Sequence, residues 1–292
     1  MTSPSLGVVV TNYNTWDLVV RGVENVRTHG AGADRVLVVD DASATPPPLG
    51  LDAEVLANPE NLGLVRSLNR GLRAVGTDLA VLFDSDAWPL GPFAGRLCQL
   101  FADDPQLAIV GFVTVDEAGH PTASSETEPD AASLVLGQRL HALWLRLFPG
   151  RGPQNVFTCA MALRLEAFRE LGGFDEAFDW LDLDHDLCMR ARRAGWRVIQ
   201  APDLVAFHRG GGTPQSTSAR VLRFYKTRWL LLRKLGKIRH PRLVRALVLA
   251  RLRAEYLLLA LAGRLLFEDR AALADKLAGR RTVLRYCAEN YQ

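Results

Sequence analysis

Short apolar runs alternate with amphipathic segments along the first 90 residues. The apolar runs are rich in Val and Leu and end at polar or turn residues, which predicts strands, and the segments between them have apolar positions at helical spacing. Strands and helices that alternate in this way are typical of a parallel, doubly wound sheet. The predicted strands are residues 6–10, 35–39, 54–56 and 79–83, and the predicted helices are residues 18–26 and 64–75.

The predicted strand at 79–83 leads directly into two carboxylates, Asp84 and Asp86. Its five apolar residues suit a strand that is buried on both faces, and ligands bind at the carboxyl edge of such a sheet. Carboxylates one residue apart repel each other unless a cation joins them, and Mg²⁺ and Mn²⁺ commonly bridge a carboxylate to substrate phosphates. The alternative is an acidic turn in which an aspartate caps the next element, helped by Pro89.

Polar residues also follow the first two predicted strands. Because the carboxyl ends of parallel strands meet at one edge, we expect Thr11, Tyr13, Asp41 and Asp86 to converge there. The sequence has no Gly-x-Gly-x-x-Gly after the first strand and no Walker-type Gly-Lys-Ser/Thr, which weighs against a dinucleotide-binding oxidoreductase and a P-loop phosphotransferase. A metal ion on Asp84 and Asp86 would be another way to hold phosphate.

A second acidic cluster lies at 179–186, where four carboxylates and a histidine occur in eight residues before a predicted helix at 187–194. Acidic residues in the first turn of a helix are favoured by the helix dipole, but capping accounts for one or two of them, not four. Crowded like charges raise the pKa of at least one carboxylate, which makes it a usable general base. Further on, His208 precedes a glycine run that lets the backbone approach an anion; a lone histidine is more often structural.

The rest of the chain is less regular. The C-terminal helices are rich in Leu, Ala and Arg, and the longest apolar stretch, residues 256–263, is far shorter than the ~20 residues that span a bilayer. Further predicted elements are a loop at 116–130, helices at 134–148 and 164–171, a break at 149–153, a strand or pocket floor at 155–163, and helices at 221–235 and 243–267.

Composition and charge indicate a globular protein with two parts. Hydrophobic residues make up 48% and charged residues 23% of the chain. Four scattered cysteines indicate neither a disulfide framework nor a zinc site, and the N-terminus lacks a signal-peptide pattern, so we expect a reducing, cytoplasmic setting. Residues 217–292 carry 18 Lys and Arg against 5 Asp and Glu, a net charge of +13, whereas the preceding residues carry −10.

Six motifs, followed by His208, together resemble the family 2 glycosyltransferases. Each motif is weak alone, but six in the family's order over residues 6–213 are specific, and the likeness is greatest to the rhamnosyltransferase-like branch. The resemblance implies the α/β GT-A nucleotide-sugar fold, a Rossmann-like mixed sheet flanked by helices, in residues 1–215, with a basic helical C-terminal extension at 216–292. The motifs lie at residues 8–14, 36–43, 61–71, 83–87, 171–178 and 183–196.

The resemblance also implies a reaction and the residues that perform it. The reaction would be an inverting transfer of a sugar from a UDP- or dTDP-sugar to an acceptor hydroxyl, in synthesis of cell-surface polysaccharide or glycolipid. Asp41 would contact the pyrimidine, Tyr13 would stack on it, and Asp184 would be the general base. A divalent Mn²⁺ or Mg²⁺ would be held by Asp84, Asp86 and His208. The full donor site would comprise Thr11, Asn12, Tyr13, Asp41, Asn61, Gly63, Arg66, Asn69, Asp84 and Ser85.

One departure concerns the base. The family usually has Glu-Asp where this chain has Leu183-Asp184, so the acidic neighbour of the base is absent. Asp182 is a candidate substitute for that neighbour, and Asp186 is a rival for the role of base.

Alternatives remain open for the basic C-terminal helices and for the function. The helices would lie on the inner face of a membrane, or pack on the catalytic body or on a second subunit. The expected partners include a saccharide or lipid-linked acceptor, and a homo-oligomer is also expected. Charge alone also permits nucleic acid, but no motif supports it, and we expect no nucleic-acid partner. The competing functions are a nucleotidyltransferase on a similar sheet and a non-catalytic module that binds sugar nucleotides or polysaccharide.

Overall fold

The computed structural model describes residues 3–148, 154–209, 217–266 and 269–291, and the chain divides into two compact units. The first unit comprises Met1–Glu128 and Pro153–Gly212, and the second comprises Pro129–Gly152 and Thr213–Gln292. The sequence placed the only boundary at 215–216 and so gave residues 129–152 to the catalytic domain. In the structure the helix at Ala131–Leu147, which lies in this range, packs against the C-terminal helices.

Among the residues that the structure describes, the first unit contains the strands and five of the helices, and the second unit contains α4 and α7–α9. In the described residues the strands are β1 (Leu6–Asn12), β2 (Arg35–Asp40), β3 (Glu54–Ala57), β4 (Leu79–Phe83), β5 (Ala87–Pro89), β6 (Leu107–Val115), β7 (Pro121–Thr122), β8 (Ser125–Thr127), β9 (Gln154–Val156), β10 (Ala160–Arg164) and β11 (Arg197–His208). The helices are α1 (Trp16–His29), α2 (Leu64–Ala74), α3 (Ala94–Asp103), α4 (Ala131–Leu147), α5 (Leu165–Glu170), α6 (Leu183–Arg193), α7 (Thr217–Lys234), α8 (Pro241–Leu266) and α9 (Arg270–Asn290).

The main sheet of the first unit is mixed. Its order is β3-β2-β1-β4-β10-β6-β11-β5, with β7 paired to β6, and β8 and β9 form a separate two-stranded sheet. The pairs β3–β2, β2–β1 and β1–β4 are parallel, as the strand–helix alternation predicts. Beyond β4 the sheet changes direction, since β10 is antiparallel to both β4 and β6, and β5 is antiparallel to β11. The α/β fold class with a C-terminal helical extension is confirmed.

Most predicted elements match observed ones, with specific exceptions. The predicted loop at 116–130 contains β7 and β8, and the predicted strand at 155–163 is divided into β9 and β10 by a turn. The prediction also omitted β5, α3, β6, β11 and α9. For β11 the reason is physical: its register shifts between Ala201 and Val205, around Pro202, so its apolar positions follow no regular period.

Helix α2 packs unusually closely on the parallel half of the sheet. A Cβ on Gly71 would lie 2.6 Å from Val9 Cγ1 and 2.7 Å from Val39 Cγ2, so only glycine fits at this point of the helix. The close contact sets the distance between α2 and strands β1 and β2.

Asn69 joins α2 to the loop that follows α5. Its side chain is 1% exposed, its Oδ1 accepts from Phe174 N at 2.9 Å, and its Nδ2 donates to Phe174 O at 2.9 Å and to Glu176 Oε1 at 3.2 Å. The amide therefore satisfies both backbone polar groups of Phe174, which would otherwise be buried without partners.

The second unit has its own core. Tyr291 is fully buried, its ring stacks on that of Trp229 with centroids 3.8 Å apart, and its hydroxyl donates to Tyr225 O at 2.7 Å. Helices α7 and α8 both pack against α9, and α4 packs against α8. In the described parts of the chain, no helix combines the length and apolar character that crossing a membrane requires.

We expect Asn69→Ala to lower the free energy of unfolding of the first unit by about 2–4 kcal/mol, because it leaves the N–H and C=O of Phe174 unsatisfied. Calorimetric unfolding of the full chain measures the change. Asn61→Ala is the matched control, since that side chain is exposed and accepts one bond, from Gly63 N, so a change below about 0.5 kcal/mol is expected. Equal stability of the two variants would contradict the role assigned to Asn69.

Candidate active site

The loops that follow β1, β2 and β4 meet at one edge of the sheet. In the register, Asn12 pairs with Asp40 and Val10 pairs with Phe83, so the residues that follow these three neighbouring strands lie side by side. The edge carries the Thr11–Tyr13 turn, Asp41 and the Asp84–Asp86 pair, which is the grouping expected from the sequence.

Asn12 links the loop after β1 to the loop after β2 by hydrogen bonds. Its Nδ2 donates to Asp40 Oδ1 at 2.7 Å and to Ser43 Oγ at 3.1 Å, and its Oδ1 accepts from Thr15 Oγ1 at 2.9 Å. All the bonds found for this amide are thus internal, so the structure gives Asn12 a positioning role. Its neighbours differ: Thr11 is 8% exposed, whereas Tyr13 is 52% exposed and offers an open ring face for stacking.

Asp41 holds the loop that leads into α2. Its carboxylate accepts from Asn58 Nδ2 at 2.7 Å, from Leu62 N at 2.8 Å and from Gly63 N at 2.9 Å. Gly63 has φ +85°, which favours glycine at this turn. Because a carboxylate has about four acceptor positions, one position of Asp41 remains for a ligand.

The other predicted donor-site residues have different surroundings. Arg66 is half-exposed and forms an ion pair of 3.2 Å with Glu176, while Asn61 is exposed. The amide of Asn69 is turned to Phe174 and not to the sheet edge. Ser85 is partly buried in the turn between β4 and β5, where Ala87 N donates to Asp84 O at 3.0 Å.

Strand pairing brings a histidine to the acidic pair. In the β5–β11 register His208 lies opposite Ala87, and Arg209 N donates to Asp86 O at 3.1 Å. His208 Nε2 is 3.6 Å from Asp86 Oδ1, and one ligand atom each from Asp84, Asp86 and His208 lie within 4.8 Å of one another. Two carboxylates and an imidazole are a donor set that fits a divalent cation such as Mn²⁺.

An aromatic pair supports this arrangement. The rings of Trp88 and Phe207, which are paired residues of β5 and β11, stack with centroids 4.3 Å apart, and the Arg21 guanidinium lies 4.6 Å from the Trp88 ring centroid. Because Trp88 and Phe207 come one or two residues from Asp86 and His208 in sequence, their packing fixes the backbone that presents the metal-ligating groups.

Negative charge is concentrated at the acidic pair. Burial raises the pKa of Asp84 to about 7, and the charges of Asp86 and then Asp184 add to this effect. Burial lowers the pKa of His208, although the charge of Asp86 opposes the change. A bound cation would favour the charged carboxylates and the neutral imidazole, so both groups are suited to ligation.

Of the three predicted catalytic carboxylates, Asp184 is the accessible one. It is partly exposed near the start of α6, its Oδ1 accepts from His185 N at 2.8 Å, and its charge contributes to the raised pKa of Asp84. Asp182 is 4% exposed and has left-handed backbone geometry, with φ +66°. The structure therefore separates Asp184 from its predicted alternatives.

Asp186 belongs to a buried ion pair. It is 0% exposed, and its Oδ2 accepts from Arg190 Nε at 2.7 Å. Arg190 also donates to the carbonyls of Leu171 and Gly173, at 2.7 and 2.8 Å. A carboxylate with these partners holds the loop before α6, whereas Asp184 is partly exposed.

A network behind Asp184 was missed by the sequence prediction. His185 is 3% exposed, its Nδ1 accepts from Asn155 Nδ2 at 2.7 Å, and its Nε2 lies 3.3 Å from Glu126 Oε2. Asn155 Oδ1 in turn accepts from Arg192 Nη1 at 2.6 Å. Polar Asn155 at the start of an apolar run was a signal in the sequence, whereas nothing in the predicted loop distinguished Glu126.

Several solved structures have a similar fold. A mannosyltransferase from Pyrobaculum calidifontis, in complex with GDP-Man and Mn²⁺, matches with a TM-score of 0.58 and 18% identity, over 100% of this chain and 88% of that one. GalNAc-T7 with UDP, GalNAc and Mn²⁺ matches with a TM-score of 0.54 and 13% identity, over 99% of this chain but 56% of that one. Glucosyl-3-phosphoglycerate synthase from Mycobacterium tuberculosis, in complex with phosphoglyceric acid, gives 0.53 and 18%, over 80% and 81%.

The fold of these structures confirms the GT-A architecture expected from the motifs. No curated protein matches the sequence significantly. The sequence model for glycosyl transferase family 2 matches residues 7–172. That match covers more than half of the 292 residues and includes the edge that carries Asp41, Asp84 and Asp86, and the chain therefore belongs to glycosyl transferase family 2.

Proposed function

We propose that the protein is a metal-dependent, inverting glycosyltransferase that moves a sugar from a UDP- or dTDP-sugar to an acceptor hydroxyl. The observation that carries the proposal is the cluster of Asp84, Asp86 and His208 beside one accessible carboxylate, Asp184. Family membership supplies the reaction class, and the GDP-Man of one Mn²⁺-bound structure and the UDP and GalNAc of the other support a nucleotide-sugar substrate.

The donor would be held at the sheet edge. Asp84, Asp86 and His208 would hold the divalent cation, Mn²⁺ or Mg²⁺, which when bound supplies positive charge against the leaving diphosphate. The exposed ring of Tyr13 would stack on the base, and the open acceptor position of Asp41 would take an N–H of the pyrimidine. Thr11, Ser85 and Arg66 stay predicted contacts, while Asn12 and Asn69 would act by positioning the loops.

The base would be Asp184. A carboxylate in this role removes the proton from the acceptor hydroxyl as that oxygen attacks the anomeric carbon from the side opposite the diphosphate, which inverts the configuration. Burial raises the pKa of Asp184, which makes it a stronger base. The backbone N–H of His185 orients Oδ1 of Asp184. The contacts of the His185 ring with Asn155 and Glu126 hold His185 in place.

The biological setting is also part of the proposal. We place the reaction in the cytoplasm, in synthesis of cell-surface polysaccharide or glycolipid, with a saccharide or lipid-linked acceptor. The second unit carries 21 Lys and Arg against 6 Asp and Glu, a net charge of +15, which suits contact of residues 216–292 with an anionic membrane face. The rhamnosyltransferase-like branch and a homo-oligomer stay predictions.

Thermal unfolding with a panel of nucleotide sugars, each with and without Mn²⁺, tests the donor site. A ligand that binds only the folded protein at 100 times its Kd stabilises it by about 2.7 kcal/mol, so we expect a metal-dependent rise in Tm with a UDP- or dTDP-sugar. The absence of any shift across the panel, with metal present, would remove the support for a nucleotide-sugar donor.

Asp86→Asn tests the metal cluster. We expect it to abolish the Mn²⁺-dependent part of the donor-induced Tm shift and the transfer activity, because it removes one of two carboxylate ligands. Asp103→Asn makes the same chemical change at an exposed site at the end of α3 and should behave as wild type. Full activity of Asp86→Asn would refute the metal role.

Asp184→Asn and Asp186→Asn together test the assignment of the base. We expect Asp184→Asn to lower kcat by about 10²–10⁴-fold with donor affinity and Tm nearly unchanged. Asp186→Asn should instead destabilise the first unit by about 3–5 kcal/mol, because the partly buried Arg190 loses the charge of its fully buried partner. Steady-state kinetics and calorimetry separate the two effects, and the reverse pattern would assign the base to Asp186.

A further inference from the structure

The second unit contains a cavity of about 250 Å³, and all of its lining residues belong to that unit. Its walls come from α4, α7, α8 and α9. The wall contains both charged and apolar side chains. The charged residues are Arg220, Arg251, Glu255, Asp275, Lys276 and Arg280, and the larger apolar ones are Leu136, Leu140, Val221, Phe224 and Leu259.

Cations outnumber carboxylates around the cavity by four to two. Arg251 and Arg280 share a single carboxylate, that of Glu255. Arg220 is exposed and makes no ion pair in the described part of the chain. Like charges that line one enclosed space repel each other, and an anion placed among them would relieve that repulsion.

The shared carboxylate leaves polar atoms without hydrogen bonds. Arg280 Nε lies 2.8 Å from Glu255 Oε2, yet both atoms are buried and neither makes a hydrogen bond of acceptable geometry. Buried polar groups in native proteins are nearly always satisfied, so such a pair needs an explanation, and a ligand that reorients the guanidinium provides one.

Gly137 keeps space for the guanidinium groups. It interrupts α4 with φ +72° and ψ 167°, a conformation that is essentially restricted to glycine. A Cβ at this position would lie 3.0 Å from Arg251 Nη1 and 3.1 Å from Tyr225 Oη. Arg251 is held beside it by donating from Nε to Val135 O at 2.6 Å and by a bond to the Tyr225 hydroxyl.

The apolar wall continues onto the surface. Leu140 lines the cavity and is nevertheless 52% exposed, and Leu143, Trp144 and Leu147 follow it at the spacing that places residues on one helix face. All three are about half-exposed or more. An exposed stripe of four large apolar residues is unusual on a helix surface, and it begins at the mouth of a cationic cavity.

We propose that this cavity binds the phosphate group of a lipid phosphate, whose hydrocarbon chain lies along the stripe of Leu140, Leu143, Trp144 and Leu147. Arg220 and Arg280 would contact the phosphate, since guanidinium groups bind phosphate oxygens in pairs. A second copy of the protein is a poor occupant of this face, because the second units of the two copies, each with a net charge of +15, would repel each other. The inference goes beyond glycosyl transfer and involves only the second unit.

Isothermal titration of the full-length protein with octyl phosphate, below its micelle concentration, tests this proposal. Inorganic phosphate and 1-octanol are the comparison ligands, and no nucleotide sugar or metal is present, so failure of this test and failure of the donor site are distinguishable. We expect saturable binding of octyl phosphate at least about tenfold tighter than that of either comparison ligand, because both halves of the site contribute. Equal affinity for inorganic phosphate and octyl phosphate, or no saturable binding, would overturn the proposal.

Two variants with matched controls locate the site. Arg220→Gln should weaken octyl phosphate binding by about tenfold, the loss of one charge-assisted contact, whereas Arg242→Gln, an exposed arginine of α8 away from the cavity, should leave it unchanged. Leu140→Ser should weaken octyl phosphate but not inorganic phosphate, with Leu243→Ser as the exposed control on α8.

A general attraction to negative surfaces gives a different pattern. In that case Arg220→Gln and Arg242→Gln would lose the same small amount of affinity for octyl phosphate. Both variants would also sediment with phosphatidylglycerol vesicles to the same extent as the wild-type protein. That pattern would refute a phosphate site in the cavity.

Discussion

Repulsion among closely spaced carboxylates is the constraint on which the candidate active site depends. Asp84 and Asp86 follow a fully buried strand, and Asp184 approaches them from the start of α6. The pKa of Asp84 is raised to about 7 by burial and by these two charges, so without a counter-charge the site would hold protons near neutral pH. A divalent cation bound here would remove that conflict, and the imidazole of His208 would complete its set of protein ligands.

The loops that carry these groups are held by polar side chains with internal partners. Asn12, Asp40 and Ser43 join the turns after β1 and β2, and Asp41 receives the backbone N–H groups of Leu62 and Gly63. Asn69 likewise holds the backbone of Phe174, which lies 105 residues later in the sequence. Polar residues in the family motifs thus fall into two groups. Some face the space where a ligand would bind, and others hold the loops at the edge of the sheet. Residues of the second group are buried, and all their hydrogen bonds are to other protein groups.

The sequence predicted the parallel half of the sheet and the position of Asp84 and Asp86, because strand period, turn residues and strand-end polarity are local properties. It could not predict that β10 and β5 run antiparallel, since that depends on pairing between segments far apart in the chain. The approach of His208 to Asp86 is a product of that pairing. The same limit explains why Asp182, Asp184 and Asp186 were equivalent candidates: only the contact between Asp186 and Arg190, together with burial, separates them.

The missing acidic neighbour of the base has a physical explanation in the start of α6. Leu183, which stands where the family usually has Glu, is 1% exposed and packs into the core, where a carboxylate would be buried at high cost. Asp182 lies one residue earlier in a left-handed conformation, and its charge adds to burial in raising the pKa of Asp184. A negative charge beside the base is therefore retained from a different backbone position. The left-handed backbone of Asp182, at φ +66°, belongs to the turn that places this charge beside Asp184. Partial exposure and a raised pKa are the properties that the proposed role of Asp184 as general base requires.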